Sequence, residues 1–225
     1  MAQNLTSLRR QIADYAHKYQ RDPDSVRILA VSKHQPLDAM RAVRDAGQSD
    51  FGENYLQEAL AKMEVFGREA LHWHFIGPLQ TNKTRSIAGH FNWVHTVDRD
   101  RIARRLNEHR PADLPPLAVC IQVNISGEAS KSGVSPAGLS ALAATVAGLP
   151  QLQLRGLMAL PAPAASLAEQ RRPFAELRGA FEALQAEGHR LDTLSMGTSA
   201  DLEAAIAEGA TMVRIGTTLF GPRPG

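Results

Sequence analysis

The chain has 225 residues, 44% hydrophobic and 21% charged, which is long enough and apolar enough to bury the core of one large globular domain. Lys and Arg number 25 against 23 Asp and Glu, a net charge of +2 with no long basic run and no interleaving of basic and aromatic residues, so nucleic acid is not an expected partner. A single cysteine excludes an intrachain disulfide and fits a reducing compartment. With no apolar run near ~18 residues and no basic-then-apolar start at Met1-Ala2-Gln3-Asn4, the expectation is a cytoplasmic protein without membrane contact.

Leu5, Leu8, Ile12, Tyr15 and Tyr19 recur at the period of one helix face, and Asn4 or Thr6 can cap that helix. Arg21-Asp22-Pro23-Asp24 breaks it. The run Ile28-Leu29-Ala30-Val31-Ser32-Lys33 follows, apolar without alternation, as in a strand covered on both faces. A lysine at the carboxyl end of such a strand loses solvation, which lowers its pKa and makes it a nucleophile toward an aldehyde. A lysine that merely ends a strand and reaches out to water leaves the same pattern.

Pro36 opens a second helix that ends at Gly47. The same unit then recurs. Strands are predicted over 49–52, 71–76, 93–97, 117–123, 152–160, 191–195 and 211–215, with helices between them over 55–66, 82–88, after Asp98, from Ser135-Pro136 to Gly148, over 166–187 and over 200–207. About eight strand–helix units in this length predict a single (β/α)8 TIM barrel, preceded by one extra N-terminal helix. An open doubly wound sheet shares the alternation. No linker or shift in composition divides the chain, so residues 1–225 read as one domain. Cys120, inside an apolar run, reads as core filler.

In such a barrel the carboxyl ends of the strands gather at one mouth. Read in order, they offer Lys33, Gly52-Glu53-Asn54, Gly77, Asp98, Asn124, Met158, Ser195-Met196-Gly197 and Arg214-Ile215-Gly216-Thr217. The last two are small-residue loops that expose backbone amides, and a phosphate between the seventh and eighth strands fits them. Tight turns alone also favour glycine there. His72 and His74 share a strand face, but no third residue at metal-ligand spacing accompanies them, so no metal is expected. Asn124, Glu128 and Lys131 form a polar cluster that either orders a loop over the mouth or is simply solvated.

Five stretches together resemble the pyridoxal phosphate homeostasis family, which is similar to a free-standing amino-terminal barrel of alanine racemase. They are Ala30-Val31-Ser32-Lys33, Phe51-Gly52-Glu53-Asn54-Tyr55, the block from Trp73 to Lys83, Leu194-Ser195-Met196-Gly197, and Val213-Arg214-Ile215-Gly216-Thr217. The resemblance implies pyridoxal 5'-phosphate held covalently, as a Schiff base, on Lys33. It matches Ser195, Ser199, Gly216 and Thr217 to a phosphate cup and Arg214 to the residue facing the pyridine nitrogen. It assigns Asn54, His74 and Met158 to the pocket lining. Thr198 stands where the family commonly has Met. A cation opposite the pyridine nitrogen disfavours its protonation and makes the ring a weaker electron sink.

Racemisation also needs an acid and a base on opposite faces of the substrate, and in alanine racemase one of them comes from a further domain of the partner chain. This chain ends at Gly225, close behind its last strand, so the expectation is a carrier of the cofactor with no catalytic residue. It would be a monomer that buffers pyridoxal phosphate or hands it to dependent apoenzymes. The competing expectation is a racemase or Schiff-base lyase in which Tyr55 or His74 supplies the missing group.

Overall fold

A computed structural model of the chain describes residues 1–67, 69–127 and 132–221. The apolar runs become parallel strands, and the amphipathic segments between them become the helices that cover those strands. In chain order the elements are α1 (Ala2–Lys18), β1 (Arg27–Val31), α2 (Leu37–Asp45), β2 (Asp50–Glu53), α3 (Leu56–Phe66), β3 (His72–Phe75), α4 (Thr84–His90) and β4 (Trp93–Val97). There follow α5 (Asp100–His109), β5 (Leu117–Gln122), α6 (Leu139–Ala147), β6 (Leu152–Met158), α7 (Leu167–Ala186), β7 (Thr193–Ser195), α8 (Leu202–Ala207), β8 (Met212–Ile215) and α9 (Thr217–Phe220). Each strand pairs with its sequence neighbours, and β8 returns to β1 through Arg27–Met212 to Ala30–Ile215, closing the barrel. The closed alternative therefore holds over the open sheet.

Side-chain alternation along the strands makes two apolar regions. Ile28, Ala30, Phe51, Val94, Val119 and Val213 point outward into the main core between sheet and helices. Full burial of large members such as Phe51 and Phe174 contributes roughly 1.5–3 kcal/mol each. Leu29, Ile76 and Met212 point the other way and fill one side of the barrel interior; Trp93, Ala118, Cys120 and Met158 fill the other. Burial pushes the Cys120 thiol up to about 12, so it is an inert filler, as its surroundings in the sequence suggested.

Two irregularities set what the interior presents. The β4–β5 register shifts between Val94 and Val97, and both His95 and Thr96 are buried with side-chain partners on the interior side. The β5–β6 register shifts between Val119 and Cys120.

The first helix buries Leu5, Leu8, Ile12 and Ala16, but its cap differs from expectation. Asn4 lies inside the helix, and its Nδ2 donates to Leu219 O at 3.0 Å, tying α1 to α9. Thr6 donates back to Ala2 O at 3.2 Å, so neither residue caps. No helix among the described residues is long and apolar enough to cross a membrane.

Candidate functional site

Lys33 lies two residues past the end of β1, and the segment around it is pinned from both sides. The buried Ser32 donates its hydroxyl to Glu53 Oε1 (2.6 Å), and its amide donates to Gly52 O (3.0 Å). The Ser32 carbonyl accepts from Lys62 Nζ at 2.7 Å. Lys62 also donates to Glu53 Oε1 (2.8 Å) and Glu58 Oε1 (2.7 Å), and Glu58 Oε1 in turn accepts the His34 amide at 2.6 Å. His34 is held at φ 60°, a left-handed conformation that costs a non-glycine residue energy and persists because its surroundings dictate it. Glu53 is fully buried, and burial pushes its carboxyl above the usual range against the opposing pull of Lys62.

Beside Lys33 opens a cavity of about 320 Å³ at the mouth of the barrel, lined also by Asn54, Thr198, Ser199, Arg214, Gly216 and Thr217. Its far wall is made of main chain. Among the described residues the amides of Ser199, Ala200, Gly216 and Thr217 have no partner within the protein. The loop that presents the first two is held open by a ring: the Thr198 amide and hydroxyl both donate to Asp201 Oδ1, at 2.6 and 2.8 Å. Gly197 allows the approach. It sits at φ 94°, and a Cβ there would come within 2.4 Å of Ala205 Cβ on α8.

On the opposite side Gly77 does the same for Asn54, whose carbonyl oxygen would lie 2.1 Å from a Cβ at that position. Asn54 Oδ1 is buried with no partner among the described residues. An amine, unpaired amides and an unpaired carbonyl oxygen around one cavity fit a small aldehyde that carries a phosphate.

The structure thus brings together Lys33, Asn54, Ser199, Arg214, Gly216 and Thr217. It does not bring His74, Met158 or Ser195 into the lining. All three are fully buried, because alternation turns them into the barrel interior. Met158 packs with Trp93, Ala118 and Cys120. The Ser195 hydroxyl, expected in the phosphate cup, is instead bonded to His95 Nδ1 (2.8 Å) and Arg214 Nη1 (2.9 Å). His74 bonds Asp50 Oδ1 through Nε2 and His95 Nε2 through Nδ1, both at 2.9 Å. With both ring nitrogens engaged, His74 has no lone pair to give a metal, and His72 is exposed at the rim.

Arg214 Nη2 donates to Ala159 O at 2.8 Å, and Nη1 reaches the Ser195 carbonyl at 2.5 Å. Burial lowers the Arg214 guanidinium to about 10, against the attraction of Asp201.

Tyr55 is 51% exposed and packs its ring against His34, outside the lining. Asn124 lines a neighbouring cavity of about 360 Å³ that shares Asn54, Ile76 and Leu160 with the first. The other two members of its sequence cluster, Glu128 and Lys131, lie outside the described residues. Sequence reasoning missed Asp50, His95 and Lys62. The spacing of two puts Trp93 and His95 on one strand face, but nothing along the chain gives His95 a partner a hundred residues away.

The family described as alanine racemase, N-terminal domain, matches residues 3–224. A relative from Pseudomonas aeruginosa named pyridoxal phosphate homeostasis protein is 58% identical over 223 residues, covering 99% of this chain and 96% of its own. The protein of that name from Escherichia coli K12 is 53% identical over 226 residues, covering 99% and 97%. PipY of Synechococcus elongatus, solved with PLP bound, superposes with a TM-score of 0.85 at 39% identity over 98% of this chain and 99% of its own. The chain belongs to the pyridoxal phosphate homeostasis protein family, built on the alanine racemase N-terminal domain.

Proposed function

We propose that this chain is a carrier of pyridoxal phosphate, holding it as a reversible Schiff base on Lys33 and buffering it or delivering it to dependent apoenzymes. The observation that supports this reading best is the pairing of Lys33 with four unpartnered amides across one small cavity. Pyridoxal phosphate supplies an aldehyde that condenses with an amine and a dianion that suits exposed amides. In this reading Ser199, Ala200, Gly216 and Thr217 hold the phosphate, Asn54 offers a carbonyl oxygen, and Arg214 faces the ring nitrogen. Arg214 keeps its proton and lends none to that nitrogen, which favours storage over carbanion chemistry.

The competing reading, a racemase or lyase, needs a second acid or base at the cavity. The buried, doubly bonded His74 and the exposed Tyr55 make poor candidates for it. The carrier reading includes a monomer working in the cytoplasm, as one barrel spanning residues 1–225.

The test is spectroscopic. Purified protein incubated with pyridoxal phosphate is expected to show a visible absorption band that Lys33→Ala abolishes. After borohydride reduction the label is expected on the peptide containing Lys33. A label on another lysine overturns the assignment. Solvent deuterium uptake at the α-carbon of an added amino acid, at ~1 s⁻¹ or faster, overturns the carrier reading in favour of the enzyme.

A further inference from the structure

Five polar side chains form one continuous path through the barrel interior. It starts at Asp50, the first residue of β2, and passes to His74 on β3 and His95 on β4. It then crosses the lumen to Ser195 on β7 and ends at Arg214 on β8, beside the mouth. Every link lies between 2.8 and 2.9 Å. We propose that Asp50, at the opposite end of the barrel from Lys33, is a positioning residue for Arg214, acting through a one-directional hydrogen-bond chain over His74, His95 and Ser195. The claim about the chain stands on the protein alone; its effect on the cofactor rests on the reading of Arg214 given above.

The direction follows from what each group can donate. Arginine only donates and an ionised carboxylate only accepts, so the two ends are fixed. If both histidines are neutral, His74 gives its Nε2 proton to Asp50 and must accept at Nδ1. His95 then gives its Nε2 proton to His74 and accepts at Nδ1. Ser195 therefore gives its hydroxyl proton to His95 and turns its lone pairs to Arg214. Burial favours the neutral form of both rings, at His74 against the opposing hydrogen bond and charge of Asp50, and at His95 with the neighbouring His74, Arg214 and Arg27 adding to it. Burial alone would raise the Asp50 carboxyl, but the hydrogen bond from His74, and the imidazolium charge His74 gains only in acid, with His72 and Ser49, bring it below its usual range. The tautomers are assigned from this network.

Arg214 has reason to need such a chain. It is a buried cation, and among the described residues no carboxylate lies within ion-pair distance of it. Aligned dipoles ending on Asp50 stabilise that charge without a carboxylate beside the cofactor. Three of the five guanidinium protons are engaged with Ser195 and Ala159, leaving Nε–H and one Nη2–H for the cavity that Arg214 lines. Protonation of His74 would reverse the chain. His95 would then present Nδ1–H to Ser195 Oγ, which already faces an arginine proton. His74 is also stacked on Trp93, with ring centroids 5.5 Å apart and planes 10° from parallel, a contact that turning the ring out of its plane would break.

The other charged or titratable groups facing the path are His72, Arg27, Cys120 and Asp201, with Arg155 and Asp192 around Trp93.

The first test uses the unliganded protein. Long-range ¹H–¹⁵N spectra at neutral pH are expected to show His74 and His95 each protonated at Nε2 only, with Asp50→Ala giving mixed tautomers at both rings. A proton on Nδ1 of either ring in the natural protein, or unchanged tautomers in Asp50→Ala, overturns the proposal. The second test is titration with pyridoxal phosphate, followed by its visible band. Asp50→Ala is expected to weaken binding roughly threefold to tenfold and to shift the pH midpoint of the band, and to do neither once Arg214 is already Gln. Equal, additive effects in both backgrounds overturn the coupling. If no band forms at all in the natural protein, the cofactor reading fails, and the spectra of the two histidines decide the chain by themselves.

Discussion

Two buried polar clusters support the two basic side chains of the mouth, and they are built on opposite principles. Beneath Lys33 the support is ionic: Lys62 sits between Glu53 and Glu58 and grips the Ser32 carbonyl, and Glu53 Oε2 has no partner among the described residues. Beneath Arg214 the support is a run of neutral groups in which each donor finds an acceptor, with charge only at the ends. The ionic cluster holds a backbone segment in a costly shape, with His34 at φ 60°, and needs strong local attraction to do so. The neutral chain has only to orient protons, over a longer path. Each arrangement should therefore fail in its own way.

The largest effect is expected from Lys62→Met. It leaves the Glu53 carboxylate buried without its cation, which costs roughly 3–5 kcal/mol in comparable sites. Glu53 has its pKa raised by burial even with Lys62 present, so in the variant it should take up a proton on folding. A carboxyl whose folded pKa exceeds its unfolded value lowers stability as pH rises through that interval. With the natural protein measured at the same pH to cancel the share of the histidines, urea unfolding is thus expected to show a relative gain for Lys62→Met at pH 5 over pH 7. No such gain is expected in Lys62→Met combined with Glu53→Gln. A loss below ~1 kcal/mol would mean that the cluster is as weakly coupled as a surface pair.

The neutral chain should respond to pH with the opposite sign. His74 and His95 have folded pKa values below the usual histidine value, His95 far below, with burial the leading cause. As pH falls through the unfolded histidine pKa, near 6.5, only the unfolded chain gains protons, so stability drops. The slope approaches about 1.4 kcal/mol per pH unit for each such group until the folded pKa is reached. Replacing His95 by Gln should remove one group's share of that slope between pH 6.5 and 5, measured by urea unfolding across the range. An unchanged slope would mean that His95 is already charged in the folded protein.

How far all this could be read from the chain follows the same division. The strands and the barrel were legible because burial on both faces leaves apolar runs, and because glycine ends the units where backbones approach closely. Lys33 was legible because a charge ending such a run is conspicuous. Ser195, expected in the phosphate cup, lies outside the cavity lining for a physical reason. It opens a loop that looks like a phosphate cup, but its position in β7 turns the hydroxyl inward, toward His95 and Arg214. Asp50, His95 and Lys62 were invisible because their partners come from other strands and helices. A short polar residue in a short strand carries no sign of the lumen it faces. The four-residue α9 was too short to show a period, so Gly216-Thr217 read as loop alone.

The smallest effect, and the one that separates wall from support most finely, is expected at Thr198. Its amide donates to Asp201 Oδ1 at 2.6 Å, and its hydroxyl repeats the contact at 2.8 Å. Thr198→Met deletes only the second bond, and a single exposed or half-exposed hydrogen bond is worth about 0.5–1.5 kcal/mol net. The amide bond remains, so the Ser199 and Ala200 amides should keep their direction into the cavity. Stability is expected to fall by no more than about 1 kcal/mol, and pyridoxal phosphate affinity, read by titration of the visible band, to change less than about threefold. A tenfold change in affinity without a matching loss of stability would assign the cofactor contact to the side chain at this position. The wall opposite Lys33 would then be part side chain, and the sharp contrast between an unpaired main-chain surface and its saturated supports would no longer hold.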